Sequence, residues 1–280
     1  MILSVASGKG GTGKTTIAVN LALSFENTQP VQFLDCDVEE PNAHFFLKPQ
    51  FLSNHEVSIP IPEIDKEKCT YCGKCAEVCA YNALAVLKNK VLVFPELCHG
   101  CGGCSLLCPE KAIKERGQRI GIIEFGSAGN IQFIHGKLDI GQAMSPPLIR
   151  EIKKYKNSTR LVIIDAPPGT SCPVIEAVKG SDFSLLVTEP TPFGLNDLKL
   201  SVETLREMNI SFGVVINRAG IGDSGVEDYC QKENIPLLMI LPMDRNIAVA
   251  YSEGKSIIET QPAYREKFLE LFERIQELKK

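Results

Sequence analysis

The sequence predicts an α/β protein in which a mostly parallel, helix-covered sheet is interrupted by a small α+β module. Three observations carry that expectation. Short aliphatic runs alternate with helical patterns over most of the 280 residues. A glycine-rich loop follows the first run and opens a helix. A cysteine repeat with a period of 29 then breaks the alternation. Alternating strand and helix patterns imply a parallel sheet, and a short internal period implies one supersecondary unit used twice.

The expected strands are Ile2 to Ala6, Val31 to Leu34, Leu161 to Ile164, Phe183 to Val187, Phe212 to Ile216 and Leu237 to Ile240. Each is a continuous apolar run of the kind buried on both faces of a parallel sheet. Helical spacing appears at Ile17, Leu21 and Phe25, over Leu195 to Met208, and over Tyr264 to Leu278. The proline-rich stretch Ile59 to Pro62 reads as a boundary. The expected division is therefore residues 1–61 and 119–280 as two parts of one phosphate-loop domain, with residues 62–118 inserted between them.

Net charge is −4 and the Lys and Arg residues are scattered, which argues against nucleic acid as a partner. No apolar run approaches the ~18 residues of a membrane-spanning helix. The N-terminus has no basic segment and enters the glycine-rich loop at once, so it reads as a strand and not a leader. The last segment has an apolar face of Phe268, Leu271, Phe272, Ile275 and Leu278, but its polar face mixes Glu with Lys. Surface-seeking helices are basic on that face, so packing on the sheet is expected. A cytoplasmic protein that does not engage membrane is the resulting expectation. Its eleven cysteines are then not a disulfide framework, which a reducing compartment disfavours.

The loop Gly8-Lys9-Gly10-Gly11-Thr12-Gly13-Lys14-Thr15-Thr16 fits the phosphate-binding pattern G-x4-G-K-T between a strand and a helix. The glycines let backbone N–H groups face one concavity, and the helix N-terminus adds partial positive charge. Lys14 is placed to neutralise terminal phosphates, Thr15 to offer its hydroxyl to Mg²⁺, and Thr16 to hold phosphate.

The spacing Cys-x2-Cys-x2-Cys-x3-Cys occurs twice. In two-cluster iron–sulfur proteins the fourth cysteine of each run crosses to the other cluster. That assigns Cys69, Cys72, Cys75 and Cys108 to one [4Fe–4S] cluster, and Cys98, Cys101, Cys104 and Cys79 to a second. Gly73 and Gly102 allow close backbone approach to sulfur. Paired Cys-x2-Cys also suits zinc, and the two compressed runs in one repeat favour clusters. Pro109 follows Cys108 but Ala80 follows Cys79, which leaves the backbone near the second cluster less fixed. Cys36 and Cys230 read as buried thiols. The four histidines show no ligand spacing and read as surface or packing residues.

The extra lysine inside the loop, Lys9, resembles the deviant phosphate-loop ATPases: MinD, ParA, the Mrp cluster carriers and the nitrogenase iron protein. The resemblance implies that ATP closes a homodimer and that Lys9 reaches the partner's nucleotide. It also implies roles for two acidic motifs. Asp35 would organise the Mg²⁺ shell and Asp37 would orient the attacking water. Asp165, in Asp165-Ala166-Pro167-Pro168-Gly169-Thr170, would hold Mg²⁺ through water, and Gly169 would sense the γ-phosphate. Asn217 and Pro242 stand where relatives contact adenine, although both also read as strand-end loops. Cys172 has the same offset from Asp165 as a cluster-ligating cysteine of the nitrogenase iron protein.

The whole chain resembles MinD-superfamily ATPases with an inserted ferredoxin-like domain. The activity implied is ATP hydrolysis gating electron transfer to a redox or metallocluster partner protein. The alternative is a cluster-assembly carrier of the Mrp type. A spatial regulator of the MinD type ranks last, because no membrane anchor is evident.

Overall fold

The computed structural model describes residues 1–26 and 28–279. Seven strands run parallel at its centre: β1 (Ile2–Ala6), β2 (Val31–Asp35), β7 (Ile131–Leu138), β8 (Leu161–Asp165), β9 (Phe183–Thr188), β10 (Phe212–Ala219) and β11 (Leu237–Pro242). Two long antiparallel strands, β3 (Gln50–Ile64) and β6 (Ile113–Ala128), extend one side. The nine form one sheet in the order β11-β10-β9-β1-β8-β2-β7-β6-β3. Every strand expected from its apolar run is present. The two halves of the chain that flank the cysteine repeat share this sheet, since β1 and β2 interleave with β8 and β9.

The central strands are buried on both faces because helices cover both. On one face lie α1 (Lys14–Ser24), α10 (Ile257–Thr260) and α11 (Tyr264–Leu278), which bring Ile17, Leu21, Phe268 and Phe272 onto Leu3, Phe33 and Phe133. On the other lie α5 (Pro146–Lys153), α6 (Cys172–Val178), α7 (Pro192–Glu207) and α8 (Gly225–Lys232), with Ile152, Val174, Val202 and Val226 against Ile164 and Val214. The expected apolar stripe of α11 is buried from Phe268 to Ile275, but its last member, Leu278, is exposed at the end of the helix. Each buried side chain of the stripe contributes about 1.5–3 kcal/mol, which is what seats the last helix on the sheet. Helix α7 starts earlier than its apolar pattern suggests. Thr191 caps it by accepting the Gly194 N–H at 3.0 Å, and Pro192 occupies the first turn, where a missing N–H costs nothing.

The cysteine-bearing segment hangs from β3 and β6. One half of this pair belongs to the sheet, where Gly121 to Ala128 of β6 pair with β7. The other half continues past the end of β7 as a two-stranded ribbon, on the edge where the parallel strands have their carboxyl ends. The stretch Ile59 to Pro62, expected to break the chain, lies inside β3. Proline removes a ladder donor and is confined largely to edge strands, and β3 is the last strand of the sheet.

At the ribbon tip sit α3 (Lys74–Glu77), the hairpin β4 (Leu84–Leu87) and β5 (Lys90–Val93), and α4 (Gly103–Leu106). The 29-residue sequence period is a backbone period too. Gly73 and Gly102 take φ of 87° and 72°, and Asn82 and Lys111 take 53° and 48°. The helices α2 (Ala43–Leu47) and α9 (Arg245–Ser252) lie at the carboxyl edge of the sheet.

Candidate functional site

The glycine-rich loop leaves β1 and turns into α1 at the carboxyl edge, where an α/β sheet concentrates its ligand chemistry. Two of its glycines are dictated by contact. A Cβ on Gly8 would meet the Asp197 carbonyl oxygen at 2.3 Å, and one on Gly13, at φ +91°, would meet the Asn217 side chain at 2.3 Å. A Cβ on Gly10 or Gly11 would meet nothing within 4 Å, and Gly11 borders the cleft described below. Thr12, Lys14 and Thr15 are buried and Thr16 is half-buried.

Lys14 reaches across to the end of β2, and its Nζ lies 3.0 Å from Asp37 Oδ2. Asp35, fully buried, accepts N–H bonds from Asp37 at 3.1 Å and from Ala43 at 3.2 Å. Asp165 ends β8 directly beside Asp35 in the sheet register. Three carboxylates and one ammonium thus share a buried site. Burial pushes the Lys14 pKa down, but Asp165, Asp37 and Asp35 outweigh it and the net shift is upward. Burial raises Asp35 and Asp37, the latter against the pull of Lys14. Burial also raises Asp165, to about 6, opposed by Lys14 and Thr15.

Both carboxylate oxygens of Asp165 are buried without a hydrogen-bond partner. A buried carboxylate left so, with a threonine hydroxyl beside it, is a donor set suited to a hard, hydrated cation such as Mg²⁺. Gly169, at φ +97°, donates its N–H to Ser7 O at 2.9 Å, so the two loops are tied together.

Lys9 is held within its own chain. Its Nζ is 3.2 Å from Glu189 Oε2, and the other oxygen of Glu189 pairs with Arg218. Asn217 donates to Thr12 O at 2.8 Å and accepts from the Arg218 N–H at 2.9 Å. A cleft of about 1260 Å³, including its open mouth, runs from the glycine-rich loop to the loops after β10 and β11. Gly13, Thr16, Asn217 and Pro242 line it. So do Asn42 and Tyr251, which no motif in the sequence singles out.

The eight repeat cysteines fall into two groups. One pocket, of about 360 Å³ with its open mouth included, is lined by Cys69, Cys72, Cys75 and Cys108. A second, of about 400 Å³ counted in the same way, is lined by Cys79, Cys98, Cys101 and Cys104. The Ala83 N–H donates to Cys79 Sγ at 3.2 Å and the Ala112 N–H to Cys108 Sγ at 3.3 Å, so the symmetry extends to hydrogen bonds on sulfur. Burial raises the thiol pKa values of Cys75 and Cys104, and neighbouring cysteines of the same run add to it. Among the described residues no three His, Cys, Asp or Glu side chains close on a point as a single ion requires. Four thiols around a cavity are the arrangement a cubane cluster uses, since its ligands stand at separate corners.

The model of the CobQ/CobB/MinD/ParA nucleotide-binding domain matches residues 3–257. The chain belongs to that family. It is 34 % identical over 263 residues to an uncharacterized protein of Methanocaldococcus jannaschii, covering 92 % of each. It is 27 % identical to an iron–sulfur cluster carrier protein of Pyrococcus horikoshii, covering 98 % of this chain and 84 % of that one. The septum site-determining protein MinD of Pyrococcus horikoshii, solved with Mg-ADP, has the same fold. Its TM-score is 0.61 at 20 % identity, over 99 % of this chain and 96 % of that one.

In this MinD/ParA-type phosphate-loop protein, the candidate nucleotide-site residues stand at strand ends and the loops after them and in the first turn of α1. The other three cysteines stand apart. Cys36 and Cys230 are buried, and burial raises both thiols. Cys172 is exposed at the start of α6. One histidine is more than packing. His135 is fully buried on β7, beside Asp35 in register, and its Nε2 lies 2.8 Å from Glu124 Oε2.

Proposed function

We propose that the chain is an ATP-hydrolysing iron–sulfur protein whose inserted ferredoxin-like module (residues 62–118) holds two [4Fe–4S] clusters and passes electrons to a partner protein under the control of ATP. The observation that carries this reading is the division of eight cysteines between two cavities, three from one run and the fourth from the other. It is the crossed pattern of two-cluster proteins. The clusters supply one-electron chemistry, and the chain's own residues bind, orient and gate.

In this reading the glycine-rich loop and Lys14 take the phosphates and Thr15 and Asp165 take Mg²⁺. Asp35 braces that shell, and Asp37 orients the attacking water. Asn217 and Pro242 meet the adenine, and Gly169 follows the γ-phosphate once it leaves Ser7. Lys9 exchanges Glu189 for the nucleotide of a second copy, so that ATP closes a homodimer. Anaerobic purification followed by iron and acid-labile sulfide analysis tests the cluster half. About eight irons per chain are expected. Zinc in place of iron, from protein kept free of oxygen, contradicts it.

A second reading, a cluster carrier of the Mrp type, draws on exposed Cys172 and on the carrier proteins among the relatives. Cys172→Ser separates the two. Electron transfer survives the change, whereas delivery of a cluster held at Cys172 does not.

A further inference from the structure

Asn42 occupies the position before α2, where asparagine ordinarily caps a helix through its side chain. Here it makes no such bond. Its Oδ1 is instead buried without any hydrogen-bond partner, and the residue lines the same cleft as Thr15 and Thr16. A buried amide oxygen without a donor is destabilising, so it calls for a partner that the chain itself does not supply.

Helix α2 touches the acidic site, the buried histidine and the far wall of the cleft. The Ala43 N–H donates to Asp35 Oδ2 at 3.2 Å. The His44 ring meets His135 edge-on, with centroids 5.3 Å apart. The Phe46 ring lies 4.9 Å from Tyr251, which lines the same cleft from α9. After Leu47 the chain turns at Lys48, in the left-handed region at φ 48°, and enters β3 at Gln50. β3 runs on to Ile64, next to the first cysteine group, with two irregularities in its pairing with β6, between Phe51 and Ser53 and between Val57 and Ser58. The helix that borders the cleft is therefore also the root of the ribbon that carries the cysteines.

We infer that Asn42 is a further nucleotide-binding residue: its side-chain oxygen accepts a hydrogen bond from an O–H of the bound Mg-nucleotide, and α2 passes that occupancy into β3. Two sources offer such an O–H, a ribose hydroxyl and a metal-bound water. The transmission half rests on the ATP-gated reading above, whereas the binding half rests only on the nucleotide cleft.

The test compares wild type with Asn42→Ala, which removes the acceptor without removing a helix cap. Equilibrium binding of Mg-ATP is measured first, and then of Mg-2′-deoxy-ATP and Mg-3′-deoxy-ATP. One lost hydrogen bond predicts about a three- to tenfold weaker affinity for ATP in the variant. If a ribose hydroxyl is the donor, one deoxy nucleotide binds wild type and variant equally. If a metal-bound water is the donor, the variant loses the same factor with all three. Unchanged ATP affinity in a variant with wild-type thermal stability overturns the binding half.

Hydrogen exchange of β3 at saturating Mg-ATP tests the transmission half. A nucleotide-dependent protection present in wild type and lost in Asn42→Ala supports it, and protection retained in the variant overturns it. No nucleotide response in wild type overturns the gating reading together with the transmission, while the affinity result still decides the role of Asn42.

Discussion

The sheet half and the cysteine half of this molecule are held together by different means. In the sheet half, aliphatic strands are covered on both faces and side chains such as Phe33, Phe133 and Phe268 are wholly buried. Between Glu63 and Ile113, the buried hydrophobic side chains among the described residues are Ala83, Leu84, Ala112 and Ile113. Small domains with so little core need another source of stability. In the proposed reading that source is the clusters, whose binding is coupled to folding as it is for other metal sites. The phosphate-loop half brings its charged groups together on neighbouring strand ends, through the Lys14–Asp37 pair and the N–H bonds to Asp35. The cysteine half brings its thiols together by loop geometry repeated at an interval of 29 residues.

Stripping the iron would break this comparison most sharply. Chelation under anaerobic conditions is expected to abolish hydrogen-exchange protection across β4, β5, α3 and α4, while β1, β8 and β9 keep theirs. Equal protection of both halves after iron removal would show that the module folds without its clusters.

Lys14→Ala probes the other side. The ammonium sits among three buried carboxylates, and it faces the phosphates in the proposed mechanism. Hydrolysis is expected to fall about 100- to 1,000-fold, the scale seen when one preorganised charge-stabilising donor is removed. Iron content should be unchanged. A variant that hydrolyses ATP within a factor of about three of wild type would remove Lys14 from the mechanism.

A third effect separates the halves by pH. Burial lowers the His135 pKa from 6.5 to about 4, against the pull of Glu124. Between those values the unfolded chain binds a proton that the folded chain does not, so stability falls as pH drops from about 6.5 to about 4. The loss approaches about 3 kcal/mol below that window. Chemical denaturation of the sheet half of wild type and of His135→Phe checks this. The variant should lack that part of the acid limb, and identical pH profiles would place the acid sensitivity elsewhere.

The weakest effect belongs to the ribbon surface. Arg119 pairs with Asp139 at 2.9 Å and with Glu56, but Arg119 and Glu56 are exposed, Asp139 is only half-buried, and the pairs are screened by solvent. Arg119→Ala is expected to leave the melting temperature unchanged. A clear drop would mean that this cluster of charges locks the ribbon to the sheet.

The glycine-rich loop, the paired aspartates after β2 and the strand-ending Asp165 were readable because their spacing is local. Each lies within a few residues of the apolar run that positions it. The crossed grouping of Cys79 and Cys108 was also readable, because the repeat states the symmetry. Other features depend on partners remote in sequence. Pro60 and Pro62 look like a break until β3 is known to be an edge strand. His135 looks like a surface or packing residue until Asp35 and Glu124 are known to flank it. Asn42 and Glu189 have no local signature, since their meaning lies in the cleft and in the cations that approach from elsewhere.

Coupling between the two halves is probed most directly by a redox titration of the clusters with and without Mg-ATP. For a one-electron step, each tenfold preference of the ATP-bound form for one oxidation state moves the potential by about 59 mV. Gated electron transfer predicts a shift of at least about that size, abolished by Lys14→Ala. Potentials that coincide with and without Mg-ATP, in protein that binds and hydrolyses it, would contradict gating.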